Sequence, residues 1–178
     1  MSVNELETRV RKANLRYRKE RKALIQKLEV PIRMTAMGMV ATLSTVDFYG
    51  IFSYTKGKKK IGKPIAFDAK ECESLTSFPL KNIHQHQLEF LKLWNELGGE
   101  GFFFVHFKKV HPDHAYVVPL SLISKYWDND AGRKSIPISE FKDEWLAEID
   151  NNLEYLYGKQ PNNGQARATR ALNTAVKQ

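Results

Sequence analysis

With 178 residues, 42% hydrophobic and 27% charged, the chain is long enough for one domain with a buried core. Its net charge of +8 points to an anionic partner, nucleic acid first. A lone cysteine, Cys72, excludes an intramolecular disulfide and a cysteine-based zinc site and suits a reducing cytoplasm. No apolar run approaches membrane-span length, and charge from Glu5 onward leaves no signal peptide in view, so a cytoplasmic protein is expected.

The first expected element is an amphipathic helix from Glu5 to Leu28, with Leu6, Val10, Ala13, Tyr17, Leu24 and Leu28 at helical spacing. Basic residues surround that stripe, and Arg16 is taken as a DNA contact among them. Nearly all the positive excess lies before Lys63, whereas 140–154 is acidic, which suggests one DNA-facing side. Ile32–Leu43 reads as strand, and Arg33–Met39 within it as a short hairpin, with Arg33 a phosphate candidate.

Thr45–Tyr54 reads as a strand carrying Asp47. Lys56–Pro64 reads as a lysine-rich turn, in which Lys56, Lys58, Lys59 and Lys60 are candidates for phosphate contact. Ile65–Glu71 returns as a strand bearing Asp68 and Lys70. Side chains two apart on a strand share a face, so this carboxylate and ammonium project together. With Asp47 on the neighbouring strand they form an acidic centre able to hold Mg²⁺, which needs only one or two carboxylates beside waters and phosphate oxygens.

Thr76–Leu80 reads as a loop and Lys81 or Asn82 as the start of a helix to Leu97. Ile83, Gln87, Phe90, Leu91 and Trp94 cluster on its buried side, where the Gln87 amide oxygen can reach a metal. His84 and His86 do not share a helix face, so a two-histidine zinc site is not expected. Gly101–Phe107 is a buried strand, Ala115–Val118 its partner, and Ser121–Trp127 a short helix. The loop 128–137 offers Arg133 and Lys134 to phosphate, and Lys81 is a further candidate. Ser139 is read as the cap of a last helix to Tyr157, with Phe141, Trp145, Ile149 and Leu153 inward. The domain organisation expected is 1–157 folded and 158–178 a flexible basic tail.

Several of these stretches together resemble one family. Asp47, Asp68-Ala69-Lys70, the run Thr76–Gln87, Gly132-Arg133-Lys134-Ser135-Ile136 and Ala23–Ile32 occur in the order found in RecU-type Holliday junction resolvases, within the PD-(D/E)xK nucleases. The resemblance covers roughly Glu5–Tyr157. It implies a restriction-endonuclease-like α/β fold: one central mixed β-sheet flanked by helices. It also implies Mg²⁺ as cofactor, with Mn²⁺ as substitute, and catalytic roles for Asp47, Asp68 and Lys70. Glu7 follows as an acidic residue of the first helix near the metal, and Thr45, Asp47, Asp68 and Gln87 as the metal set. The partners implied are four-way DNA junctions and a second copy of the chain, with a recombinase contact admitted. Asp68 stands where the family commonly has Glu. The family's protruding stalk before the Asp47 strand is short here, in the manner of a phage version, and the lysine turn is long. The turn is therefore expected to replace part of the stalk. The alternatives are another endonuclease of the same fold, or a junction-binding protein without catalysis.

Overall fold

In a computed structural model the described residues are 5–29, 32–35, 38–41, 45–56, 58–128, 132, 134–149 and 153–156. The tail expected over 158–178 and Arg133 lie outside them, as does the side chain of Arg33. The elements in chain order are α1 (Glu5–Lys19), β1 (Ala23–Lys27), β2 (Ile32–Thr35), β3 (Gly38–Ala41), β4 (Phe48–Lys56), β5 (Lys59–Cys72), β6 (Ser77–Pro79), α2 (Gln85–Glu96), β7 (Glu100–Phe107), β8 (His114–Pro119), α3 (Leu120–Trp127), β9 (Ser135–Pro137) and β10 (Leu146–Glu148).

Six strands form one mixed sheet in the order β1-β4-β5-β7-β8-β10. All pairings are antiparallel except β5 with β7. Parallel neighbours cannot be joined by a tight turn, and α2 supplies the crossover between them. Alternation on β5 then decides what each face carries. Phe67 and Ala69 face a core built with Leu6, Val10, Ala13 and Tyr17 of α1 and with Leu153, Tyr155 and Leu156. Ala66 and Cys72 face a second core with Leu88 and Leu91 of α2 and Leu122, Ile123 and Tyr126 of α3. Asp68 and Lys70 share the parity of Ala66 and Cys72, so they project toward α2. Phe67 stacks between Phe48, 5.0 Å away, and Phe102, 4.8 Å away, across three adjacent strands. This aromatic ladder fixes the register of the strands beside the carboxylates.

The first helix is shorter than its apolar spacing suggested. It stops at Lys19, Arg21 takes φ 55°, and Ala23–Lys27 pairs antiparallel with Phe48–Phe52. The alternation Ala23 and Ile25 buried, Leu24 and Gln26 exposed is the strand period, which the helical reading of Leu24 and Leu28 overlooked. Gly50 makes that pairing possible: a Cβ there would lie 2.0 Å from the Leu24 carbonyl oxygen.

The expected helix over 139–157 is also replaced. Single 3-10 turns at Ile138–Glu140 and Asp143–Trp145 lead into β10, which joins the sheet edge beside β8. Trp145, Ala147 and Ile149 are buried while Glu148 is exposed, again a period of two. The i,i+4 spacing of Phe141, Trp145, Ile149 and Leu153 coincides with both patterns, and the unpaired β8 edge selects the strand. Smaller corrections concern the loops. Ser77–Pro79 and Ser135–Pro137 pair as β6 and β9, and α2 begins at Gln85 after a 3-10 turn at Leu80–Asn82. Ile32–Thr35 and Gly38–Ala41 do form a short hairpin.

Candidate active site

Four of the expected residues meet at the junction of β4, β5 and α2. Asp47 sits in the bend entering β4, one residue ahead of the strand on which it was expected, and its Oδ2 accepts the Ala69 amide at 2.9 Å. That bond ties the first carboxylate to the backbone between Asp68 and Lys70. Asp68 is fully buried. Its Oδ1 accepts from Gln87 Nε2 at 2.8 Å. The Lys70 ammonium forms a buried ion pair with its Oδ2 at 2.6 Å, at an angle poor for a hydrogen bond. Lys70 instead donates to Gln87 Oε1 at 3.0 Å, and the His84 amide donates to the same oxygen at 3.3 Å. Gln87 is buried on the first turn of α2 and orders the lysine and the aspartate together.

Burial and the neighbouring Asp47 carboxylate push the Asp68 carboxyl up to about 7, against the pull of Lys70. Two neighbouring carboxylates, one of them fully buried and offset by a single lysine, cost free energy unless a proton or a further cation joins them. This donor set therefore fits a hard divalent ion, which takes carboxylate and other oxygen ligands. Among the described residues no three His, Cys, Asp or Glu side chains come together, so further ligand oxygens must be of other kinds. Thr45 is half-buried, two residues before Asp47 in the segment entering β4.

Other expected residues fall elsewhere. Glu7 pairs with Lys27 on the α1 side of the sheet, whereas Asp68 and Lys70 project to the α2 side. Lys27 is the register partner of Phe48, so this pair lies one residue along from Asp47. Lys27 was missed as a candidate because its strand was read as helix. Arg16 donates to the Leu153 carbonyl and the Glu154 carboxylate, each at 2.7 Å, which staples α1 to the C-terminal segment. Tyr155 hydroxyl bonded to Asn14 completes that staple in the core, and nothing in the local sequence signalled the pair. Lys81 and Lys134 are exposed and flank one connection, where the Leu80 amide donates to the Lys134 carbonyl at 2.9 Å.

The lysine turn is a hairpin end rather than a nine-residue loop: Lys56 pairs with Lys59, and Lys59–Pro64 belong to β5. Lys59 lies nine residue steps before Asp68 on β5, about 30 Å at ~3.3 Å per residue. The tip therefore does not reach phosphates beside Asp68. Lys63 is engaged with Glu100.

A single mixed sheet that brings two aspartates, a lysine and a glutamine to one corner defines an α/β fold of the kind nucleases use. The chain belongs to the RecU family: Recombination protein U matches residues 4–159. It is 32% identical over 150 residues to a Holliday junction resolvase RecU of Ligilactobacillus salivarius, covering 77% of this chain and 66% of that one. It is 36% identical over 136 residues to that of Latilactobacillus sakei, covering 74% and 60%. With that of Leuconostoc mesenteroides it shares 31% over 166 residues, covering 85% and 76%. The chain thus spans about three-fifths to three-quarters of the length of the curated relatives it matches. Among the described residues no helix is long and apolar enough to cross a membrane.

Proposed function

We propose that the chain is a divalent-metal-dependent endonuclease that resolves four-way DNA junctions in recombination and repair. The observation that carries this reading is the fully buried Asp68, ion-paired with Lys70, bonded to Gln87 and set beside Asp47. The junction as substrate comes from the relatives, which are named Holliday junction resolvases. Asp47 and Asp68 would hold Mg²⁺ or Mn²⁺, with Thr45, Gln87, waters or substrate oxygens completing the shell. When bound, the ion supplies Lewis acidity and a more acidic water at a scissile phosphate.

The chain's own residues do the rest. Lys70 stands 2.6 Å from an Asp68 oxygen, where its ammonium can orient a water and offset charge gathering on the phosphoryl oxygens. Gln87 holds the Lys70 ammonium through Oε1 and the Asp68 carboxylate through Nε2, so both keep one rotamer. Asp47 fixes the β5 backbone between them. Water attacks phosphorus, the bond to the 3′ oxygen breaks, and that oxygen takes a proton, leaving a 5′-phosphate and a 3′-hydroxyl. Glu7 is proposed to tune the site through Lys27. Lys81, Lys134, Arg33 and Arg133 are proposed to grip phosphates. Two symmetric nicks need two sites, so the working unit is a homodimer, acting in the cytoplasm and admitting a recombinase contact.

The test is Asp68→Ala against a labelled four-way junction in Mg²⁺. Cleavage is lost while junction affinity stays within about threefold, because the phosphate-binding cations remain. Wild-type cleavage by this variant removes Asp68 from the mechanism.

A further inference from the structure

A groove opens on the Asp68 face of the sheet, toward the hairpin end of β4 and β5: Ile51 and Ser53 are the register partners of Pro64 and Gly62, which share the parity of Asp68. Arg18, Arg21, Lys22 and Lys60 rim it, and Leu24 and Ile51 line it. All four cations are exposed. Among the described residues neither Arg18 nor Arg21 has a carboxylate partner, whereas Lys22 pairs with Glu20 at 2.6 Å. The groove's frame is tightly held: the Ser53 amide and hydroxyl both donate to the Lys22 carbonyl, at 2.8 and 3.0 Å, and Lys60 Nζ donates to the Arg21 carbonyl at 3.2 Å. Leu24 and Ile51 are register partners and 47% and 46% exposed, an apolar strip between cations.

Arg21 adds an independent observation. It sits just past the end of α1 with φ 55°, a left-handed position where Gly or Asn is the usual occupant. An arginine held there against local preference, with its side chain at the groove rim and no carboxylate beside it, points to a task for the guanidinium. Alternating cations and an apolar floor suit a duplex backbone, whose phosphates take the charges and whose sugars lie against Leu24 and Ile51.

Position sets which part of the DNA this is. Ser53, which bonds to Lys22, is the register partner of Gly62, six residues from Asp68 on the same strand. That is about 20 Å at ~3.3 Å per residue, or roughly six base-pair steps of 3.4 Å. We propose that this groove is a second phosphate-binding surface that holds a duplex arm of the junction roughly six base pairs from the cleaved phosphate. The inference rests on the endonuclease reading and adds to it where an arm is gripped.

The experiment compares wild type with Arg18→Gln/Arg21→Gly. Affinity is measured against salt, in chelator, for two four-way junctions with loop-capped arms of 5 or 16 base pairs. On the long arms the salt slope flattens by about two units, at ~0.9 per phosphate lost, and affinity near 0.1 M salt falls about fiftyfold. On the short arms, which end before the groove, the two proteins share one slope. An unchanged slope on long arms overturns the proposal, as does an equal loss on short arms. Arg21→Gly alone, which relieves the left-handed strain, keeps or raises the melting temperature while weakening long-arm binding; a lowered melting temperature assigns Arg21 a structural role instead and overturns its part. Cleavage is scored separately with Mg²⁺. A protein that binds long arms through the groove yet cuts no junction would refute the endonuclease reading and leave the groove standing.

Discussion

Asp68→Asn should make the metal-free protein more stable, and by an amount that grows with pH. Burial and Asp47 raise the Asp68 carboxyl from 3.8 to about 7 in the fold. A carboxyl with a raised folded pKa keeps its full contribution below the unfolded value and loses it as pH rises through the folded one. Between pH 5 and pH 8.5 that loss is about 3 kcal/mol, from ~1.4 kcal/mol per unit over the part of the window crossed. Asparagine keeps an acceptor for Gln87 Nε2 and carries no charge, so it escapes the loss. At about 2–4 °C per kcal/mol for a chain of this size, the gap in melting temperature between variant and wild type should widen by roughly 6–12 °C from pH 5 to pH 8.5. Thermal melts of both proteins in chelator at the two pH values read it directly, because titrations shared by both cancel in the difference. A gap that stays constant, or narrows, refutes the picture of a buried charge held at a cost for the sake of a cation. Mg²⁺ at pH 8.5 should raise the wild-type midpoint and leave that of the variant within about 1 °C, since a ligand stabilises only the state that binds it.

Two further outcomes are expected. Lys70→Ala should lower the single-turnover cleavage rate by about 10²–10³ with junction affinity within about threefold, the loss typical of one donor aimed at developing charge; an unchanged rate removes Lys70 from the chemistry. Replacing Lys56, Lys58 and Lys59 with Ser should flatten the salt slope by up to about 2.7 units yet leave the rate at saturating DNA intact, because the hairpin tip is about 30 Å from Asp68; a collapsed saturated rate contradicts that separation.

The legible parts of this molecule were those where one periodicity stood alone. Asp68 and Lys70 share a face because a strand alternates, and the helix after them buries Gln87 because its apolar residues repeat at helical spacing. Their convergence with Asp47 followed, although Asp47 proved to stand ahead of its strand, where its side chain can cap the Ala69 amide. The errors came where two periods overlapped. Leu24 and Leu28 continue the α1 stripe in sequence, yet an αL residue at Arg21 turns the chain and β1 takes over. Trp145, Ile149 and Leu153 satisfy a helix, but the open edge of β8 offers backbone partners that a local pattern does not display. The lysine turn misled for a third reason. Its residues are polar enough for a loop, and only pairing with β4 shows them to be strand, which moves the charge far from the carboxylates. Arg16 looked like one more surface cation, and its partner Glu154 lies 138 residues away.

The most direct test of the account is cleavage of a labelled four-way junction beside a matched linear duplex, with Mg²⁺ and with chelator. The account predicts paired, symmetric nicks in the junction only when Mg²⁺ is present, with 5′-phosphate ends and little cutting of the linear duplex. Nicks that persist in chelator, equal cutting of both DNAs, or an intact junction in both Mg²⁺ and Mn²⁺ would contradict it.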